Sequence, residues 1–191
     1  YRAHPLDNTS SDRFYSLRDR NVFNKLSQDD YDSFNPITDS ELVEISGSVG
    51  ATIGQNQRGW KLTLPADRKV LSTSVTFNNE IFFVAFSPDT ANAESCTASD
   101  GKNFLYRVSV INGDPITDLS QPIPDPDEER VADLSQGGIA PTPRFLFPTP
   151  EPDCVGDACS PPPISCIGVE CFDPGFANNP VRTLWTQDGI E

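Results

Sequence analysis

Five cysteines carry most of the chemistry this sequence could perform: Cys96, Cys154, Cys159, Cys166 and Cys171. Cys154 and Cys159 are separated by four residues, and Cys166 and Cys171 repeat that spacing. Two chemistries fit the pattern. Zinc sites use ligand pairs two to four residues apart, but the surrounding chain is acidic and rich in proline, a poor scaffold for a tetrathiolate. Disulfides fit better, and so many cysteines in a short stretch suit an oxidising compartment. Local pairs 154–159 and 166–171 close small loops. These local pairs are geometrically easy, while the crossed sets 154–171 with 159–166, or 154–166 with 159–171, stay open on sequence alone. Cys96 is left over.

Other candidate groups are sparse. His4 is the sole histidine and is followed by Pro5, so a Ser-His-Asp or Cys-His device has one possible base and no cysteine near it in sequence. A surface or packing role is the expectation for it. Asp7, Thr9, Ser11 and Asp12 offer oxygens at alternate positions, but lack the glycine at the sixth position of an EF-hand-type calcium loop. Asp125, Asp127, Glu128 and Glu129 stand among prolines and read as a solvated loop. No catalytic set emerges, and the chain is expected not to be an enzyme.

Composition narrows the partners. The 191 residues carry 14 basic and 28 acidic side chains, a net charge of −14. Nucleic-acid binding rests on Lys and Arg neutralising phosphates, so no nucleic-acid partner is expected. An anionic lipid surface is disfavoured on the same ground. No apolar run approaches the roughly 20 residues of a membrane helix. The sequence starts at Tyr1 and has no methionine, which suggests a processed product or part of a longer chain.

The elements that would position these groups divide near residue 113. Residues 1–112 hold 4 of the 18 prolines, while residues 113–191 hold 14 of them with only 3 basic side chains. Strands are expected at Trp60–Leu64, at Val70–Phe77, at Glu80–Phe86 and at Phe104–Ile111. Asn78-Asn79 reads as a tight turn between the second and third, because Asn tolerates positive φ. Glu-Ile-Phe-Phe-Val-Ala-Phe, residues 80–86, is continuously apolar after its first residue, the pattern of a strand buried on both faces. Adjacent Phe82 and Phe83 then point to opposite faces. Short helices are expected at Ser27–Phe34, with Ser27 as N-cap, and at Thr38–Ile45, where Thr38 and Glu41 have capping-box spacing. Ile139–Phe147, interrupted by Pro141 and Pro143, is at best an edge strand. An antiparallel meander of three or four short strands is the unit of a β-propeller blade, and a lone blade cannot bury both faces. The missing neighbours are expected from upstream chain.

Motif order points to one family. Gly59-Trp60-Lys61-Leu62-Thr63-Leu64, Lys69-Val70-Leu71-Ser72, Thr76-Phe77-Asn78-Asn79-Glu80-Ile81-Phe82-Phe83, Phe86-Ser87-Pro88, Cys96, Leu105-Tyr106 and Asn112-Gly113 follow one another. The series resembles the late propeller blades of the PilY/PilC family of type IV pilus biogenesis factors and tip adhesins. Asp67-Arg68 stands where the family often has Gly-Glu, and Val84-Ala85 where it often has Thr-Thr. Tyr1–Asp7, Asn35–Thr38, Ala132–Phe147 and Pro180–Trp185 are also similar to that family.

The resemblance implies a mainly β chain: antiparallel blade structure of a β-propeller, short helices and a disulfide-stapled, proline-rich C-terminal tail. Residues 1–59 would be an inter-blade insertion, 60–147 a blade with its closing strand, and 148–191 the tail. It also implies pilus biogenesis, surface adhesion and twitching motility, with export to the cell surface. Partners would be the upstream part of the same propeller, minor pilins at the pilus tip and a host or surface receptor. Calcium would bind in the upstream propeller, with no cofactor in this segment. Trp60, Phe82, Phe83 and Leu105 are expected in the blade core. Phe145, Phe147, Phe172, Phe176 and Trp185 are expected to dock the tail, since large aromatics dominate interface energy. Two other readings stand beside this one: part of a quinoprotein-like propeller enzyme, and a generic extracellular scaffold domain.

Overall fold

The computed structural model describes residues 11–23, 25–88, 100–117, 122–149 and 161–176. The chain is mainly β, with short helices, and the strands among the described residues form three sheets. The first sheet has β1 (Arg13–Leu17) and β2 (Val43–Glu44) on either side of β3 (Gly59–Thr63). The central sheet joins β4 (Lys69–Val70), β5 (Val75–Phe77), β6 (Glu80–Ser87), β7 (Lys102–Ser109) and β8 (Val131–Leu134). The third contains β9 (Arg144–Leu146), β10 (Ile164–Ile167) and β11 (Glu170–Phe172).

β6 is buried along its whole length, as its apolar run demands. Its partner β7 runs antiparallel in the register Phe83↔Tyr106 and Val84↔Leu105. Alternation along β6 then feeds two cores. Ile81, Phe83 and Ala85 meet Ile45, Trp60, Leu62 and Leu64 of the first sheet and its flanks. Phe82 and Val84, with Leu105, meet Ala140, Ile167 and Phe176 from the side of the third sheet.

That layering corrects three expectations. Trp60–Leu64 does not join the same sheet as β6; it pairs with β1 antiparallel and with β2 in parallel, and packs on β6 from above. Cover for both faces of β6 comes from within this chain rather than from upstream residues. The proline-rich tail is not all loop, because Gly168-Val169 turns β10 back into β11. Strands also cross the expected boundaries at 59/60 and 147/148, since β1 and β2 hydrogen-bond to β3, and β9 to β10.

Local details follow residue chemistry. Val70–Phe77 is two strands, β4 and β5, both paired to β6. Asn78 and Asn79 make the β5–β6 turn with φ of 50° and 61°. Helix α1 (Gln28–Asp32) has Ser27 as N-cap with a complete capping box. The second expected helix stops after a single 3-10 turn, Asp39–Glu41, although Glu41 does receive the Thr38 N–H at 2.7 Å. Leu42-Val43 and Ile45 follow, and apolar and β-branched residues gain more by packing on Trp60 in an extended strand than by prolonging a short helix. Helix α2 (Pro126–Glu129) is capped by Asp125.

Candidate functional site

The aromatic residues singled out in the sequence are mostly packing residues. Phe83 is stacked between Phe14 and Tyr106, with ring centroids 4.0 and 4.7 Å away. Trp60 is buried beside Phe14 and donates its indole N–H to the Val110 carbonyl at 3.1 Å. On the opposite face, Phe82 takes Phe145 and Phe176 edge-on at 5.0 and 6.0 Å. Phe77 extends that cluster to Phe147, whose ring is half exposed. Leu105 is buried, and Phe172 packs at the cluster margin. Trp185, His4 and Cys96 lie outside the described residues.

Cys166 and Cys171 form a disulfide across β10 and β11, where they are direct cross-strand partners. That pairing removes both crossed alternatives. Cys154 and Cys159 lie outside the described residues. Among the described residues, no group of three or more His, Cys, Asp or Glu side chains is placed to hold a metal ion. Most of the Asp7–Asp12 run lies outside the described residues.

The acidic group at 125–129 has structural employment. Asp125 caps α2, and Asp127 receives Arg130 at 2.6 Å and the Gly47 N–H at 2.9 Å. Arg130 is fully buried and also donates to the carbonyls of Gly113, at 2.8 Å, and Ser48. Burial pulls its pKa below the usual arginine value, and Asp127 opposes that pull. A cleft of about 420 Å³ opens beside this group, lined by Arg68, Tyr106 and Leu64 among others. Arg68 lies 3.6 Å over the Phe104 ring and donates to the Tyr106 hydroxyl at 2.8 Å. Burial raises the Tyr106 phenol above its ordinary pKa despite that cation. Arg130 carries no sequence signal of its role; a lone basic residue in an acidic stretch is the only hint.

The most distinctive surface feature is an open groove of about 1030 Å³ at the end of β1. Its apolar wall is Leu17, Leu26, Tyr31, Phe34, Pro36 and Ile37, and its charged residues are Arg18, Asp19 and Arg58. Leu17 is 59% exposed, Tyr31 68% and Phe34 44%. Phe23, on the loop leading to the groove, is 98% exposed. Monomeric proteins rarely leave so many large apolar side chains together in water unless something binds there. Helix α1 presents Tyr31 because its capping box holds the turn, and Arg58 lies 5.3 Å over the Phe34 ring. Sequence reasoning missed this site: its residues are spread over the end of β1, helix α1 and the loops around them, with no common period.

Compared with known proteins, the chain matches no family model, no curated sequence and no solved structure.

Proposed function

We propose that the chain is a non-enzymatic assembly and adhesion module of the PilY type, acting at the type IV pilus tip or cell surface. The observation that carries the reading is the stacking about β6. An antiparallel sheet is covered on one face by a strand set holding Trp60 and on the other by a strand set holding Ile167. Face-to-face stacking of small sheets is how propeller blades bury an apolar strand. The motif order from Gly59-Trp60 to Asn112-Gly113 supports the same family. The Cys166–Cys171 disulfide suits an oxidising, exported location. Further sheets would complete a propeller, and calcium, where bound, would belong to those.

Purification of the tagged full-length protein from its own cells tests this. Minor pilins should accompany it, and removing residues 144–191 should reduce surface pili. A preparation that carries bound quinone without pilins, or normal piliation after the deletion, overturns the reading.

A further inference from the structure

We propose that the β1 edge and the groove beside it form a strand-docking site for an extended partner segment that alternates apolar residues with carboxylates. This rests on the assembly reading above and names the surface through which assembly partners are engaged.

The main-chain pattern comes first. Leu64 N–H donates to the Asp12 carbonyl at 2.9 Å, and Arg18 N–H donates to the Arg58 carbonyl at 2.7 Å. With Arg13 opposite Thr63 and Leu17 opposite Gly59, the even-numbered residues of β1 spend their main-chain groups on β3. Arg13, Tyr15 and Leu17 therefore turn their N–H and C=O groups away from the sheet. Among the described residues no strand pairs with that side. An exposed edge of this kind is the template for strand addition.

Side chains define what is added. The side chains of Tyr15 and Leu17 are exposed on one face of the edge strand, and Leu17 also lines the groove. A strand laid along β1 reaches Leu17, which shares the groove with Tyr31, Phe34 and Ile37. Charge selects its polar residues. Asp19, the sole acid of the wall, accepts the Asn21 N–H at 2.8 Å. Among the described residues, Arg18 makes one long contact, 3.4 Å to the Ile53 carbonyl, and Arg58 lies 3.9 Å from Glu41. Both guanidiniums retain donors for a carboxylate, in a chain whose net charge is −14. Asp29, Asp30 and Asp32 stand on the same helix as Tyr31, so the selection rests on the paired Arg18 and Arg58 guanidiniums, which favour an apolar strand with carboxylates at their level, from a different protein.

The test is fluorescence anisotropy of the full chain with a labelled alternating valine–aspartate octapeptide. Binding is expected with a Kd of about 10–100 µM. The valine–lysine counterpart should bind at least about tenfold more weakly. Arg58→Glu should cost about tenfold in affinity. Tyr15→Pro removes an outward N–H while leaving the β1–β3 ladder whole, and should abolish binding; circular dichroism melts confirm that each variant is folded. Equal binding of the lysine peptide, or full binding by folded Tyr15→Pro, overturns the proposal. So does a concentration-dependent dimer in sedimentation that Leu17→Asp dissociates, since the occupant is then a second copy. Piliation of cells carrying Arg58→Glu is scored separately. Lost peptide binding with normal pili upholds the docking site and counts against the pilus reading alone.

Discussion

Phe82 and Phe83 are neighbours in β6, both fully buried, and their rings belong to different cores: Phe83 stacks on Phe14 and Tyr106, Phe82 meets Phe145 and Phe176 edge-on. Each ring reports on a separate sheet contact. Phe83→Ala should loosen the first sheet, and Phe82→Ala the third, each costing about 3–5 kcal/mol. Urea unfolding measures the cost, and hydrogen exchange shows where protection is lost: β1 amides for Phe83→Ala, β10 amides for Phe82→Ala. Identical exchange maps for the two variants contradict the layered arrangement.

How far the sequence foretold this arrangement depends on the range of each signal. Residues 80–86 announced a doubly buried strand, and Asn78-Asn79 announced its turn, because both signals are local. What covers β6 was not legible, since Trp60 lies shortly before it in sequence and Phe176 far after it, and each belongs to a layer outside the β6 sheet. Pairing of distant strands leaves no periodic trace. Thr38 and Glu41 do form the cap their spacing predicts, yet the helix they start is overruled by the packing of Val43 and Ile45. The disulfide spacing pointed to local pairing without deciding it, and Cys166–Cys171 is the local one. The groove wall, from Leu17 to Arg58, is assembled by tertiary structure and gave no motif.

Gly59 marks a close approach of β3 to β1. Its φ is +139°, and a Cβ there would lie 1.9 Å from the Ser16 carbonyl oxygen. Neither the backbone angle nor the space admits a side chain. Gly59→Ala should displace β1 and lower stability by about 2–3 kcal/mol. Thermal unfolding followed at Trp60 measures it, and an unchanged midpoint refutes the close approach.

Acidification should release the segment that lies along β3. Thr38 holds the Glu41 carboxyl below its ordinary range by backbone and side-chain hydrogen bonds. Lys61 does the same for Asp39, with Arg13 assisting. For Glu44, burial pushes upward, but bonds from Ser46 and Thr63 outweigh it. Depressed folded values mean that the stabilisation is present above the unfolded carboxylate pKa, near about 4, and disappears as pH falls through the folded values. Protection of the Arg58 amide, which donates to the Glu41 carbonyl at 3.0 Å, should hold from neutral pH down to about 4 and then fall. Lys61→Met should move that fall to higher pH. Protection that instead declines on raising the pH from 5 to 7 contradicts the linkage.

The disulfide should matter modestly. Cys166 and Cys171 are five residues apart, so the closed loop is small. Replacing both by Ser should cost about 2 kcal/mol, because loop-closure entropy grows only slowly with length. Ile167, fully buried, and Gln136, which donates to the Ile167 carbonyl at 2.8 Å, keep the hairpin docked without the bond. Chemical denaturation of the double variant checks the figure; loss of the folded state altogether means the bond, not the packing, holds β10.

Arg107 ties the tail to the central sheet more directly than the disulfide does. Its guanidinium pairs with Glu80, at 2.5 and 3.2 Å, and donates to the Pro174 carbonyl at 2.7 Å. The same group lies 5.5 Å from both the Phe82 and the Phe176 rings. Glu80 is largely buried, so removing Arg107 strands a carboxylate where water reaches it poorly. Arg107→Met should therefore cost about 3 kcal/mol or more. Adding Glu80→Gln removes the stranded charge, and the double variant should be more stable than Arg107→Met alone. The Pro174 contact stays broken in both, so exchange at Gly175 and Phe176 should remain fast in the double variant even as global stability recovers. A double variant no more stable than the single one means the cost lies in lost packing on Phe82 and Phe176, and the charge pairing assigned to Glu80 is wrong.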